Sequence, residues 1–498
     1  MNETTATIAR NTKAMMGSQV ITWISSFVLM SFMPRYLGAE EWGRLYFAIS
    51  LNGITGLLID LGLTTLIVKD VARDKEKVNS LVMNGLALRS LAWTLSLVGT
   101  MLFVVLVGYP TMTVNIVFVL CLANWFYGNY DLFHRVFIGL ERMEYRSICL
   151  VVEKIFLAVF GVAALLMGAG AMTVAIIMLL SMAANFFMSW FFLRKTVKLH
   201  FELVPTIWRP LLVQGFPFLI SSTFAFIYYR INVMMMSSMT NDTVVGWYGA
   251  PYRLFDTLMF FPLILTTAVF PVLARLGHAA AKQNMAQTSR QLLDLTLIVA
   301  VPLAVGLASL SQPIISVLFG LKEFWNSVVL LQILAISVLL IYVDFVLNTV
   351  LVANDKQKQL SVVAMIATII SIGVNYVAIK YTQEAWGNGA MGAVFSTGFT
   401  EVCVMAMSIY LLPKGIFAKS NLVLAAKTIL SGAVMWGAVW FVQNEVPYAQ
   451  GWILAGSVGC IVYGAMLFSL KVVSKREVSF LFNLLPMRKR FAASVSND

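Results

Sequence analysis

Stretches of about twenty mostly apolar residues recur from one end of the chain to the other. At roughly 1.5 Å of rise per residue, each can cross about 30 Å of hydrocarbon as a helix. Backbone amides cannot stay unpaired in lipid, and the alternation of a barrel strand is missing. The chain is therefore expected to be an all-α polytopic membrane protein. Composition agrees: of 498 residues, 60% are hydrophobic and 12% charged, against about a quarter charged in soluble domains. Fourteen spans are expected, at roughly 15–33, 45–68, 81–108, 113–133, 147–168, 172–193, 211–239, 244–273, 291–311, 328–353, 360–379, 388–412, 421–442 and 451–470. The longest strongly polar stretches, 194–210 and 274–290, are too short to bury a core of their own.

Basic residues fix the expected topology. Twenty-six of the 35 Lys and Arg residues fall in the two tails and the loops sharing their side, and four on the opposite side. That bias predicts cytoplasmic termini and an even number of spans. It also accounts for the net charge of +12 without nucleic acid as a partner. Arg10 and Lys13 precede an apolar run from Met15 to Met33 that has no small-residue cleavage site, so this run is expected to be a retained first span. Cys121, Cys149, Cys403 and Cys460 have neither metal nor disulfide spacing, and no Walker A sequence occurs. His134, His200 and His278 sit at span edges, and no large external loop carries paired carboxylates. No cofactor and no enzyme activity are expected.

A weak repeat divides the chain. Ile24-Ser25-Ser26 is echoed by Ile220-Ser221-Ser222, and Trp42-Gly43-Arg44-Leu45-Tyr46 by Val245-Gly246-Trp247-Tyr248. The expected organisation is a six-helix lobe over 1–194, a linker over 195–210 and a second six-helix lobe over 211–412. Two added helices and a basic tail then occupy 413–498.

Charges inside the spans are the candidate site, because ionisable groups in hydrocarbon need a partner, water or a ligand. The hairpin over 214–274 carries Arg230, then Arg253 and Asp256, with Tyr252 near them on the second arm. Arg253 and Asp256 share a helical arc and can pair internally or face a cavity. Arg230 lies off its own helix's polar stripe, so it and Asn232 cannot both face one cavity. Asn52, Gly56 and Asp60 form one stripe at i, i+4 and i+8, and Asn124, Gly128 and Asp131 form a similar one. Packing and cavity lining are both open for these stripes. Arg89, Lys154 and Asp60 lie roughly 10–12 Å deep at one level. Arg89 can pair with Asp60, and Lys154 can snorkel. Glu153 points about 100° away from Lys154 on a helical wheel. Asp131 and Asp294, close to span ends, are expected to be solvated, whereas Asp344 and Glu401 lie deeper and can carry protons or a cation.

At Pro34-Arg35-Tyr36-Leu37-Gly38, followed by Gly43, Tyr46 and Asp60-Leu61-Gly62-Leu63, the chain resembles the polysaccharide (O-antigen repeat-unit) flippases. These belong to the multidrug/oligosaccharidyl-lipid/polysaccharide exporter superfamily. The resemblance continues at Arg230-Ile231-Asn232, Val245-Gly246-Trp247-Tyr248, Pro262, Phe270-Pro271 and Leu318-Phe319-Gly320. It implies two six-helix lobes around a central cavity, and alternating access in a bacterial inner membrane. It implies as substrate an undecaprenyl-diphosphate-linked oligosaccharide, moved from the cytoplasmic to the periplasmic leaflet. Membrane lipid, a glycan polymerase and chain-length proteins are the implied partners. On this reading Arg89, Lys154, Arg230 and Arg253 hold the diphosphate, and Asn52, Asn124 and Tyr252 contact glycan. Asp60, Asp256, Asp344 and Glu401 are charge partners or ion-coupling groups. Members of the family often have aspartate where Asn232 stands, so any titrating role shifts to Asp60, Asp344 or Glu401. A cation-coupled multidrug or metabolite antiporter of the same superfamily is the alternative, and it expects an acid-dominated cavity.

Overall fold

The structure, a computed structural model, describes residues 3–278, 282–413, 415–446 and 448–472. Lys475, Arg476, Arg488, Lys489 and Arg490 of the basic tail lie outside these, as do the side chains of Arg10, Lys13, Ser221 and Ser222. Among the described residues the fold is all-helical, in two compact units, Met1–Gly249 and Ala250–Asp498.

The first unit contains α1 (Glu3–Asp60), α2 (Leu63–Arg73), α3 (Val78–Val107), α4 (Thr111–Gly139), α5 (Met143–Leu166), α6 (Ala171–Thr196) and α7 (Trp208–Met239). It also holds the start of α8 (Asp242–Leu258), which runs on into the second unit. The second unit continues with α9 (Phe260–His278), α10 (Lys282–Ser309), α11 (Ser311–Leu318), α12 (Leu321–Ala353), α13 (Gln357–Trp386), α14 (Gly389–Leu411), α15 (Lys419–Glu445) and α16 (Tyr448–Ser469). Twelve segments among the described residues are long and apolar enough to cross a membrane. One of them, Gly17–Asp60, holds the first expected span and most of the second, whose last residues fall in α2 beyond a break at Leu61 and Gly62, and α7 occupies the seventh.

Local chemistry explains the breaks. Gly38 bends α1 between its two spans with φ 74° and ψ 173°, a region closed to residues with a Cβ. The eighth span, expected as one helix, is interrupted at Met259. Pro262 has no N–H for the carbonyl of Leu258, and the Tyr342 hydroxyl donates to that carbonyl instead at 2.8 Å.

Helix α7 joins the first unit because the segment before it is tied down. Asn79 donates to Glu202 at 2.8 Å and accepts from the amide of His200 at 2.9 Å. Asn84 accepts from the amide of Val204 and the indole of Trp208, at 2.8 and 2.7 Å. Farther along, Gly215 and Gly62 face each other so closely that a Cβ on either would overlap the backbone carbonyl opposite. The two glycine–aromatic segments noted in the sequence also meet. A Cβ on Gly43 would overlap the Asp242 carbonyl, and one on Gly246 the Ala39 carbonyl. Arg44 seals this crossing with ion pairs to Glu40 and to Asp242, the latter at 2.9 Å. In the second unit the two C-terminal helices pack on α10 through Val301, Met435, Val439, Ala455 and Tyr463.

Candidate substrate-binding site

The two polar stripes of the sequence face each other in the first unit. Asn124 of α4 donates to the backbone and side-chain oxygens of Asn52 on α1, at 2.8 and 3.0 Å. A Cβ on Gly56 would sit 3.8 Å from the Asn124 amide, an ordinary van der Waals distance, so the asparagine contact does not require glycine there. Below this contact a cavity of about 350 Å³ opens, lined by Asn52, Asp60, Arg89, Asn124, Tyr127, Asp131 and Arg135 among others.

Charges alternate along its wall. Arg89, fully buried on α3, is ion-paired with Asp60 of α1 and lies 3.6 Å from Asp131 of α4. It also donates to the Gly128 carbonyl. Asp131 in turn accepts two bonds from Arg135, at 2.9 and 3.3 Å, and Thr64 donates to Asp60 at 2.7 Å. A buried guanidinium survives here because two carboxylates and a carbonyl take up its donors. Its Nε alone has no partner among the described residues. Of the two readings left open for Arg89, the structure combines both, since it pairs with Asp60 and lines a cavity.

Two sequence expectations are corrected. Asp131 and Asp294 are not simply solvated: α4 continues past Asp131 to Gly139, which places the aspartate under Arg89, and Asp294 accepts from Asn421 at 2.7 Å. Glu153 and Lys154, about 100° apart on the wheel, are ion-paired at 2.7 Å. The flexible lysine stem folds back over the arc between them. Glu153 is buried and also accepts from Asn185 at 2.6 Å; Asn185 accepts from Ser189, which sits 3.1 Å from His134.

The remaining candidates lie elsewhere. Arg230 donates to the Tyr46 hydroxyl at 3.2 Å and lies over the Phe226 ring, while Asn232 donates to the Tyr248 hydroxyl at 3.4 Å. The two side chains thus diverge, as the helical wheel requires. Tyr252 is buried beside the Phe255 ring. Arg253 and Asp256 form no ion pair with each other, and among the described residues the Arg253 guanidinium has neither hydrogen bond nor ion pair. On α12 and α14, Asp344 and Glu401 are both buried and their carboxyls meet. No donor among the described residues reaches either oxygen of Asp344.

Sequence reasoning missed Tyr127, Asp131 and Arg135 as cavity residues. The i, i+4 spacing of Asp131 and Arg135 is a signal that can find them, and it crosses the expected span end at 133.

An all-helical polytopic chain with a charge-lined cavity inside its membrane helices has the architecture of a membrane transporter. Comparisons make the class specific. The family model described as "Polysaccharide biosynthesis protein" matches residues 8–277, over half of the chain, and the MatE model matches residues 217–377. The chain belongs to the polysaccharide biosynthesis protein family, within the MOP exporter superfamily. A probable lipid II flippase MurJ of Bdellovibrio bacteriovorus is 26% identical over 245 residues, 47% of this chain and 46% of that protein. The Haemophilus influenzae counterpart is 23% identical over 277 residues, 49% and 52% of the two chains. The chain thus spans about half the length of these curated relatives. Among solved structures, a lipid II flippase MurJ in an inward closed conformation has a TM-score of 0.73 at 13% identity, over 92% of this chain and 98% of that one. An inward-facing multidrug resistance MATE transporter of the MOP superfamily has a TM-score of 0.62 at 14% identity, over 85% and 96%. At such identities these two structures speak to the fold.

Proposed function

We propose that the protein is a flippase for an undecaprenyl-diphosphate-linked oligosaccharide, the repeat unit of O antigen or a related surface polysaccharide. It moves this lipid from the cytoplasmic to the periplasmic leaflet of a bacterial inner membrane by alternating access. The observation that carries the reading is Arg253, a partly buried guanidinium within the membrane helices and without a partner among the described residues. A guanidinium stays charged at any accessible pH, and leaving it unpaired in hydrocarbon is costly. A diphosphate supplies the missing acceptors in a geometry the guanidinium fork matches. Family membership supports a glycan substrate, and the curated relatives, probable lipid II flippases, likewise have a lipid-linked precursor as substrate. In the first unit, Arg89 and Arg135 supply cations, and Asn52, Asn124 and Tyr127 supply hydrogen-bonding groups suited to sugar hydroxyls.

Coupling falls to Asp344 and Glu401. Two carboxyls meeting in a low-dielectric interior favour uptake of one proton or a cation between them. The same acid pair favours a second reading, a cation-coupled antiporter, because Asp344 lies within the segment that the MatE model matches. Export of surface glycan by a strain carrying Arg253→Ala separates the two. The flippase reading expects glycan export to be lost while the protein still inserts. Normal surface glycan together with lost drug resistance would leave the antiporter reading standing.

A further inference from the structure

The row of charges in the first unit does not close at Arg135. Arg146, in the first turn of α5, lies within electrostatic reach of Arg135, Asp131 and Tyr127. It is half-buried, and among the described residues it has no hydrogen bond and no ion pair. The basic bias expected of inner loops places a cation there, but its immediate surroundings do not favour it. The N-terminus of a helix repels positive charge through the macrodipole, and Arg135 repels it again. The acid in that turn, Glu144, pairs with Arg142 at 3.6 Å. Asp131 is held by Arg135 at 2.9 Å and faces Arg89. Around this end of the cavity, three arginines therefore face two aspartates, Asp60 and Asp131. Arg135 spends its Nε and Nη2 on Asp131, which leaves donors of its fork uncommitted.

We propose that Arg135 and Arg146, with the Tyr127 hydroxyl, form a subsite for a phosphate-type anion beside the turn between α4 and α5. The subsite rests on the flippase reading above and adds to it the place where the phosphate group is first held. An anion there balances the surplus charge, gives Arg146 its missing acceptors and sits against the positive end of α5. The same chemistry belongs to two sources, the diphosphate of the lipid-linked glycan and the phosphate of a membrane phospholipid.

The test uses the full chain purified in a zwitterionic detergent. Inorganic pyrophosphate and undecaprenyl diphosphate are titrated by calorimetry into wild type, Arg146→Gln, Arg146→Lys and Lys380→Gln. The last removes an exposed charge on α13, and size-exclusion elution confirms folding of each variant. Losing a charge-assisted hydrogen-bonding group predicts at least about tenfold weaker pyrophosphate binding in Arg146→Gln. Arg146→Lys should recover part of the loss, and Lys380→Gln should match wild type. Pyrophosphate binding by Arg146→Gln within about twofold of wild type, less than any charge-assisted bond is worth, overturns the subsite. If wild type binds undecaprenyl diphosphate and Arg146→Gln does so equally, only the subsite falls. If wild type binds neither probe, the flippase reading falls with it. Competition by phosphatidylglycerol, against phosphatidylcholine as control, identifies the source. Arg146-dependent displacement assigns the anion to membrane phospholipid, and its absence assigns it to the diphosphate; both uphold the site.

Discussion

The first unit compensates nearly every buried charge, whereas two charged groups of the second, Arg253 and Asp344, meet no opposite charge among the described residues. In the first, Asp60, Arg89, Asp131 and Arg135 neutralise one another along one wall, and Glu153 is satisfied by Lys154 and Asn185. In the second, Arg253 has no counter-ion among the described residues, and Asp344 meets another carboxyl where a base would be expected. The contrast separates two uses of charge in a membrane. Compensated charges hold helices in register and give a cavity its polar wall. Uncompensated ones wait for something outside the chain to complete them.

Substitutions can break or sharpen that contrast. The largest effect is expected from Arg89→Ala, which strands Asp60 and Asp131 without their shared cation. Its cost is about 3–5 kcal/mol, read as a lower melting temperature in detergent, and an unchanged melting curve would show that the row is not structural. Gly246→Val forces side-chain atoms into the Ala39 backbone and is expected to cost about 1–3 kcal/mol. If it is tolerated, the close crossing of α1 and α8 is not required. Arg44→Gln removes a partly exposed pair, so its effect on melting should stay below about 1 kcal/mol. A larger loss would move Arg44 into the class of Arg89. Asp344→Asn should change melting least, because no base loses a partner. Its effect belongs in transport, where wild type should respond to an imposed proton gradient and the variant should not. Equal responses would remove Asp344 from coupling.

Much of the fold was legible because lipid imposes length and hydropathy on every span. The helical-wheel stripes at Asn52 and Asp60, and at Asn124, left packing and cavity lining open; in the structure these residues line the cavity while Asn124 also bonds Asn52. Legibility failed where tertiary contact decided the outcome. Asp131 lies near a hydropathy boundary, yet its helix continues for two more turns and draws it beneath Arg89. Glu153 and Lys154 diverge on an ideal wheel, but a four-carbon stem can bend back over that angle. The break at Met259 was not expected within the 244–273 span; Pro262 causes it, and the hydroxyl that stabilises it comes from Tyr342, 84 positions away from Leu258. No local pattern announces such a partner. Arg146 falls between two expected spans, and its place near Arg135 is what reveals a cation with no hydrogen bond or ion pair among the described residues.

The central claim is that the protein carries a lipid-linked diphosphate sugar across a bilayer. The direct measurement is translocation of a fluorescent undecaprenyl-diphosphate oligosaccharide in proteoliposomes, followed by quenching from outside. The account predicts faster leaflet exchange with wild type than in protein-free vesicles, and a rate at the protein-free level with Arg253→Ala. Exchange at the protein-free rate with wild type, or undiminished exchange with Arg253→Ala, would contradict it.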